Sequence, residues 1–396
     1  MPKLTALLLL ALVASGCDAS GGGVIRDGAL TAPGLLLGER VALSGDVALL
    51  GAPASNDAVV FERGPDGWDV AARLGPTEAR VPDPFFGQYL DLDGDFAVLG
   101  APENDVALDA PGHAYVYARA GGGWVEEAVL RPGDLAPNAN FGNGVSVSGG
   151  TVAVAAGDDE VGEDRTGGRV HVFERDSGAW SRTAVLTHPD PGPGTGFGGD
   201  VAVDGEYLAV DGSASRREGR VFIFMRDVTG RWAIESTVME PVTEGSSGGL
   251  SYGLDIELDG STLAVNSPGV GGGTVYVYRR SASGWSLEAT LVRSREELGG
   301  SATFGFRIAL WGDRLVASVP GREIDGRSRG SAIVYVRNAD GTWTEEAELQ
   351  LDDPASGFGR DVDIDGDTVI VGANNGDSVG GAYLFRRGPD GWALAP

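Results

Sequence analysis

The sequence predicts an all-β protein: a seven-bladed β-propeller with four antiparallel strands per blade and a ring closed by an N-terminal strand. Three observations carry this expectation. An aromatic residue or leucine followed by glycine recurs at Leu37, Phe86, Phe141, Phe197, Tyr252, Phe304 and Phe358. A tryptophan recurs at Trp68, Trp124, Trp180, Trp232, Trp285, Trp343 and Trp392. Both markers keep a period of about 50 to 56 residues, the length of one stacked supersecondary unit. The chain also holds 65 glycines without a collagen period, which signals many turns. Repeats then begin near residues 36, 85, 140, 196, 251, 303 and 357.

Each repeat reads as four β-like runs. In the third, FGNGVSVSGG gives a strand and a turn, TVAVAA a second strand, GRVHVFER a third and AWSRTAVL a fourth. The second run is apolar throughout, as expected of a strand buried on both faces. The fourth mixes arginine and serine with apolar residues, as an outer edge strand does. Six residues after each of the first six recurring tryptophans stands an aliphatic: Leu74, Leu130, Leu186, Val238, Leu291 and Leu349. Trp311 falls outside this series. Four strands per repeat, stacked at a fixed period, is the propeller pattern. A β-sandwich is the alternative, and it gives no reason for the period.

The N-terminal segment reads as a targeting signal. Lys3 precedes an apolar run, Leu4 to Val13, that is too short to span a bilayer, which needs about 20 residues. Residues 1–16 are assigned to a signal peptide, 17–23 to a tether and 24–396 to the propeller. The segment ASGC ending at Cys17 resembles the lipobox of bacterial lipoproteins, although Ala14 stands where that family favours leucine. The resemblance implies lipidation of Cys17 and a lipid-anchored place in a bacterial cell envelope. The outer membrane or cell surface is expected, with the periplasmic face of the inner membrane as the other site. A plain secretory signal with an incidental cysteine is the alternative reading. Cys17 is the sole cysteine, so no intramolecular disulfide can form. The final repeat stops four residues after Trp392, and GGGVIRDGALTAPG at 21–34 aligns with GGGWVEEAVLRPGD at 121–134. Residues 24–31 are therefore expected to complete the last blade, with Leu30 in the place of the recurring aliphatic.

The chain carries 57 acidic against 30 basic residues, and Lys3 is its only lysine. Such a charge balance repels nucleic acid and anionic lipid heads. Contact with a membrane is expected through the N-terminal lipid only, and a monomer is expected.

The residues FGQYLDLDGDFAVLGAP, 86–102, resemble the FG-GAP repeats of integrin-α-like propellers. GAP is intact at 51–53 and 100–102 and decays to NSP at 266–268 and GAN at 372–374. The resemblance covers 36–396 and implies adhesive or ligand-binding work. In the calcium-binding members of that family, a D-x-N-x-D-G-x-x-D loop joins the first two strands. Here a tight turn replaces it: SGD, DGD, SGG, DGE, DGS, WGD and DGD. The acidic run Asp361, Asp363, Asp365, Asp367 alternates with Val362 and Ile364, which places its aspartates on one face of a hairpin strand. Carboxylates spread along a strand cannot give one cation six oxygens, so no metal site is expected.

No catalytic constellation is legible. His113 and His171 lie on or beside the third strand of different repeats and His188 lies in a loop, and no G-x-S-x-G serine elbow is present. No catalytic residue, metal or cofactor is assigned. The recurring tryptophan is expected to pack blades rather than to hold a sugar, because it repeats in every copy. The long second-to-third loops differ between copies, and binding commonly sits on such loops. They share one end of the ring with the connections between blades, which leaves the other end plain. Binding candidates there are Asp158, Asp159, Glu163, Arg216, Arg217 and Arg322. The expected function is a non-catalytic binding or adhesion scaffold for a protein or carbohydrate. The alternative is a glycan hydrolase with carboxylates in the central channel. Carboxylates and arginines converging on that channel would favour the hydrolase, and small apolar residues the scaffold.

Overall fold

The structure is a computed structural model. It describes residues 29–32, 35–77, 85–102, 111–159, 167–191, 195–213, 219–241, 251–269, 271–352, 357–374 and 380–395. The signal peptide, Cys17, the tether and residues 24–28 lie outside them.

Seven four-stranded antiparallel sheets form the ring, as expected. The blades occupy 41–74, 89–130, 141–187, 196–239, 256–292, 308–349 and 358–394. Their innermost strands are Val41–Ser44, Tyr89–Asp93, Phe141–Ser148, Gly196–Asp204, Ile256–Asp259, Ile308–Trp311 and Phe358–Asp365. The second strands are the apolar runs, and Thr151–Ala156 is buried at all six positions. The outer strands alternate with solvent, as Ala179–Thr187 shows. Besides the 3-10 turn Pro53–Ser55, two short elements have no counterpart in the sequence reading. One is the helix Arg295–Leu298, capped by Ser294 and Glu297, and the other is the small hairpin of Glu323–Ile324 with Arg327–Ser328.

The closing strand is built from two chain segments. The third strand of blade 7, Gly381–Gly388, pairs with Gly391–Leu394 along its outer half and with Ala29–Leu30 along its inner half. Leu30 faces Ala382 as Leu130 faces Ala114 in blade 2. The alignment of 21–34 with 121–134 therefore holds at Ala29 and Leu30, the two residues paired in the strand.

The FG marker has a steric cause. The seven aromatic or leucine side chains are buried, from 0% exposed at Phe141 to 5% at Tyr252. The glycine that follows Phe141 has φ +97°, and a Cβ there would stand 2.4 Å from the His113 carbonyl oxygen of blade 2. The glycine of GAP is its counterpart on the neighbouring blade: a Cβ on Gly100 would stand 2.0 Å from the Gly142 carbonyl oxygen. FG and GAP are thus two sides of one backbone contact between blades. Where GAP decays, a polar side chain takes over the local bonding. Asn266 accepts from the Asp255 amide at 2.8 Å and donates to the Gly305 carbonyl of the next blade at 2.9 Å.

The first hairpins turn on glycine and the residue after it. Asp365 pairs with Thr368, so Gly366 and Asp367 form the turn centre. Only the glycine takes a left-handed φ, +61°, whereas an Asp-Gly centre would need two. A glycine at the first central position is the pattern of a type II′ turn.

The recurring tryptophan clamps blades together. Glu127 in the outer strand of blade 2 accepts the Trp180 indole N–H of blade 3 at 2.8 Å and pairs with Arg175 at 2.6 Å. Glu235 does the same for Trp285 and Arg280, Glu288 for Trp343 and Arg337, and Glu346 for Trp392 and Arg387. Each of these glutamates is the unpaired residue where the register of the outer strand shifts. Such a bulge re-aims a side chain, here toward the next blade. Glu62 and Glu174 serve from the third strand instead. Glu62 takes both partners, Trp124 and Arg119, whereas Glu174 takes Arg226 alone.

Gly142→Ala should lower thermal stability by roughly 2 kcal/mol or more, since strained backbone alone costs about 1–3. Ala136→Gly, in a loop, serves as the control. An unchanged melting temperature for Gly142→Ala would contradict the backbone contact.

Candidate binding site at the mouth of the central channel

The innermost strands line the channel, and each leaves backbone N–H groups facing its neighbour. Side chains of the preceding blade accept them. Asp361 accepts from Val41 at 2.8 Å and Asp363 from Leu43 at 2.6 Å, and Asp365 accepts from Gly45. Asp91 accepts from Val147 at 2.7 Å, Asp200 from Ile256 at 2.8 Å and Asp255 from Ile308 at 2.6 Å. Ser146 and Ser148 serve Val203 and Gly205 in the same way. The aspartates at 361, 363 and 365 share one strand face, as the alternation predicts. Their work is to satisfy the exposed edge of the next blade.

The channel opens at the long-loop end into a cavity of about 330 Å³. Two layers line it. At the rim stand Arg40 and Arg307 with Tyr89 and Phe306. The Arg40 guanidinium lies 5.2 Å from the Tyr89 ring centroid, and those of Arg307 and Arg360 each lie 5.4 Å from that of Phe306. Arg307 also donates to Asp255 at 3.0 Å. Below the rim gather Asp91, Asp200, Asp255, Glu257, Asp361 and Asp363. Carboxylates and arginines therefore converge on the channel, which is the outcome that favours the hydrolase. The backbone bonds just described give five of these six carboxylates a structural task. Glu257 is different: it has no hydrogen-bond partner among the described residues.

Burial in this crowded space shifts protonation. Burial pushes Glu257 well above the usual carboxylate range, and the charges of Asp255, Asp363, Asp91 and Asp200 add to it. Burial does the same to Asp363, and to Asp200 with Asp255 adding. Behind Asp200, burial raises Asp211 from 3.8 to about 6, although the amides of Asp200, Gly199 and Gly198 donate to it. Burial and then the Arg307 charge lower Arg40.

The loop residues singled out in the sequence fall in separate places. Asp158 is exposed after the second strand of blade 3 and accepts from the Asn140 side chain at 3.1 Å. Asp159 is fully buried, accepts from the Ala136 amide at 2.9 Å and pairs with Arg169 at 3.1 Å, so it anchors its loop. Arg322, in blade 6, donates to Glu348 at 3.1 Å and to the Glu297 carbonyl. Glu163, Arg216 and Arg217 lie outside the described residues. The rim arginines escaped the sequence reading because arginine recurs in every repeat, and only the first turn of the innermost strands faces the mouth. Among the described residues no group of three His, Cys, Asp or Glu is placed to hold a metal.

Comparison with known proteins agrees with this architecture. The FG-GAP repeat family model matches residues 124–173 and 343–385. No curated protein shows significant sequence similarity. Among solved structures, the chain is similar to a candidate 6-phosphogluconolactonase of Bacteroides fragilis, with TM-score 0.53, 14% identity and 94% of each chain covered. It is similar to a periplasmic gluconolactonase of Pseudomonas aeruginosa, with TM-score 0.52, 16% identity, and 88% of this chain and 94% of that one covered. It is also similar to Sqt1 of Saccharomyces cerevisiae, with TM-score 0.50, 12% identity, and 90% and 84% covered. At such identities the likeness is one of fold.

The buried carboxyls predict an unusual stability profile. Asp211 titrates about 2.2 units higher folded than its ordinary value of 3.8. The folded state therefore gains a proton that the unfolded state lacks, and stability rises as pH falls from above 6 toward 4, by roughly 3 kcal/mol at about 1.36 per unit. The clamp glutamates act oppositely. Bonds from Arg175, Arg280 and Arg337 hold Glu127, Glu235 and Glu288 below 4.5, so their contribution is lost as pH falls through their folded values. Melting temperature should peak between pH 4.5 and 5.5, and Asp211→Asn should flatten the limb from 7 to 5. A steady fall from pH 7 to 5 would contradict this. The chain is a seven-bladed β-propeller with FG-GAP repeat matches in two regions of its ring.

Proposed function

We propose that this protein is a lipid-anchored envelope propeller that binds a protein or carbohydrate ligand at the mouth of its channel. One observation carries the reading: the arginine rim and the cavity open at the end where the long loops lie. Guanidinium groups offer paired donors to carboxylate or hydroxyl oxygens of a ligand. The carboxylates beneath are largely committed to backbone amides, which suits a rigid receptor better than a reaction centre. Anchoring through Cys17 supports display of this face. The strand Ala29–Leu30 runs toward the long-loop end, as the other outer strands do.

A second reading rests on Glu257. A carboxyl that burial pushes toward its neutral form in a channel, without a fixed partner, has the character of a general acid in glycan hydrolysis.

The mature protein has no lysine, so photo-crosslinking replaces amine chemistry. A photoreactive residue at Leu254, which is 54% exposed at the rim, should capture the envelope ligand. The same residue at Ser261, in a first hairpin at the plain end, should not. Arg40→Glu with Arg307→Glu should abolish capture, and Cys17→Ala should release the protein from membranes. Capture from Ser261 alone would contradict the binding face. Glycan turnover lost in Glu257→Gln would establish the hydrolase instead.

A further inference from the structure

Six of the seven blade interfaces hold a glutamate that takes the arginine of the next blade, and five of these also take its tryptophan. The seventh, between blades 7 and 1, has the receiving side chains without a clamp glutamate among the described residues. Arg63 and Trp68 of blade 1 occupy the clamp positions, paired across their hairpin as Arg175 and Trp180 are in blade 3. Arg63 turns back instead to Asp46 of its own blade, whose side chain is 61% exposed. Trp68 is 6% exposed, and its indole N–H has no acceptor among the described residues. On the blade 7 side the two clamp positions hold Ala395, three residues after Trp392, and Arg386, just before Arg387. Neither can accept. What remains is a cleft of about 640 Å³ lined by Arg63, Trp68, Thr368, Arg386 and Ala395, with Asp66 of the exposed hairpin turn at its edge.

We propose that this cleft is a carboxylate-binding site. Two guanidinium groups and the Trp68 indole line it; Asp46, which pairs with Arg63, and Asp66 are both exposed hairpin-turn residues and neither stands in the place of a clamp glutamate. At the six other interfaces the arginine, and at five of them the tryptophan, donates to a glutamate carboxylate. The sequence names a source. Leu30 stands in the register of Leu130, and Glu127 precedes Leu130 by three residues; Asp27 precedes Leu30 by three. Asp27 lies outside the described residues. The other source of the same chemistry is the carboxylate of a separate ligand. A cleft filled by Asp27 would make ring closure depend on the segment that leads to the tether.

The test reads the indole N–H resonance of Trp68 in the full chain, assigned through Trp68→Phe. A hydrogen-bonded signal that Asp27→Asn moves, with melting lowered by a few degrees as in Glu127→Gln, identifies Asp27. Combining Asp27→Asn with Arg63→Gln should then cost little more than either change alone. A signal unmoved by Asp27→Asn, but shifted saturably by added glucuronate and weakened at least tenfold by Arg63→Gln, identifies an external carboxylate. A signal that responds to neither change overturns the proposal. Asp27→Glu, which keeps the charge, separates loss of the carboxylate from a fault in folding.

Discussion

A propeller blade cannot complete its inner edge. Its first strand faces a channel, and its backbone N–H groups on that side have no strand to pair with. Here a side chain of the preceding blade accepts them, most often an aspartate: Asp361 for Val41, Asp91 for Val147, Asp255 for Ile308. Charge-assisted bonds of this kind contribute about 1.5–3 kcal/mol each, while an unmade one costs the full desolvation of the amide. The solution has a consequence. It fills a narrow channel with carboxyl groups whose burial favours the neutral form, and so ties stability to pH. The acidity at the centre of the ring is a structural device before it is anything else.

The outer rim is held by a separate device. There the bulge residue of one blade reaches the arginine and tryptophan of the next, in partly exposed positions where ion pairs alone are worth little. The indole bond and the packed ring add what the charge does not. Where inner and outer bonds are both present they fix a blade to its neighbour along its whole width, and the FG and GAP glycines bring the backbones close enough for both.

Much of this was legible in the sequence because the constraints act on residue type. A buried ring at Phe141, a left-handed glycine at 142 and an indole at Trp180 admit few substitutes, so they recur at the repeat period. The aspartates could be placed on one strand face, yet not assigned a task. Their partners are backbone amides about 50 residues away or, for Asp361 and Val41, at opposite ends of the chain, and an amide leaves no mark in the sequence. The clamp glutamates were hidden because they change strand, from Glu62 and Glu174 to Glu127 and Glu235. The rim arginines were hidden among many others. Asp159 looked like a free loop carboxylate, and only the fold shows it buried beneath the Ala136 amide and Arg169.

The mouth of the channel joins these devices to function. Arg40 and Arg307 are held by contacts that also serve the wall, so a ligand there meets groups already fixed in place, which lowers the cost of binding. The most direct measurement of the account is amide hydrogen exchange at Val41, Leu43, Val147, Ile256 and Ile308. Their N–H groups are bonded to aspartate side chains and to no strand. The account predicts that they exchange as slowly as the paired amides of the second strands, and that Asp361→Ala frees Val41 alone. Exchange at the rate of an exposed loop, in the unaltered protein, would contradict it.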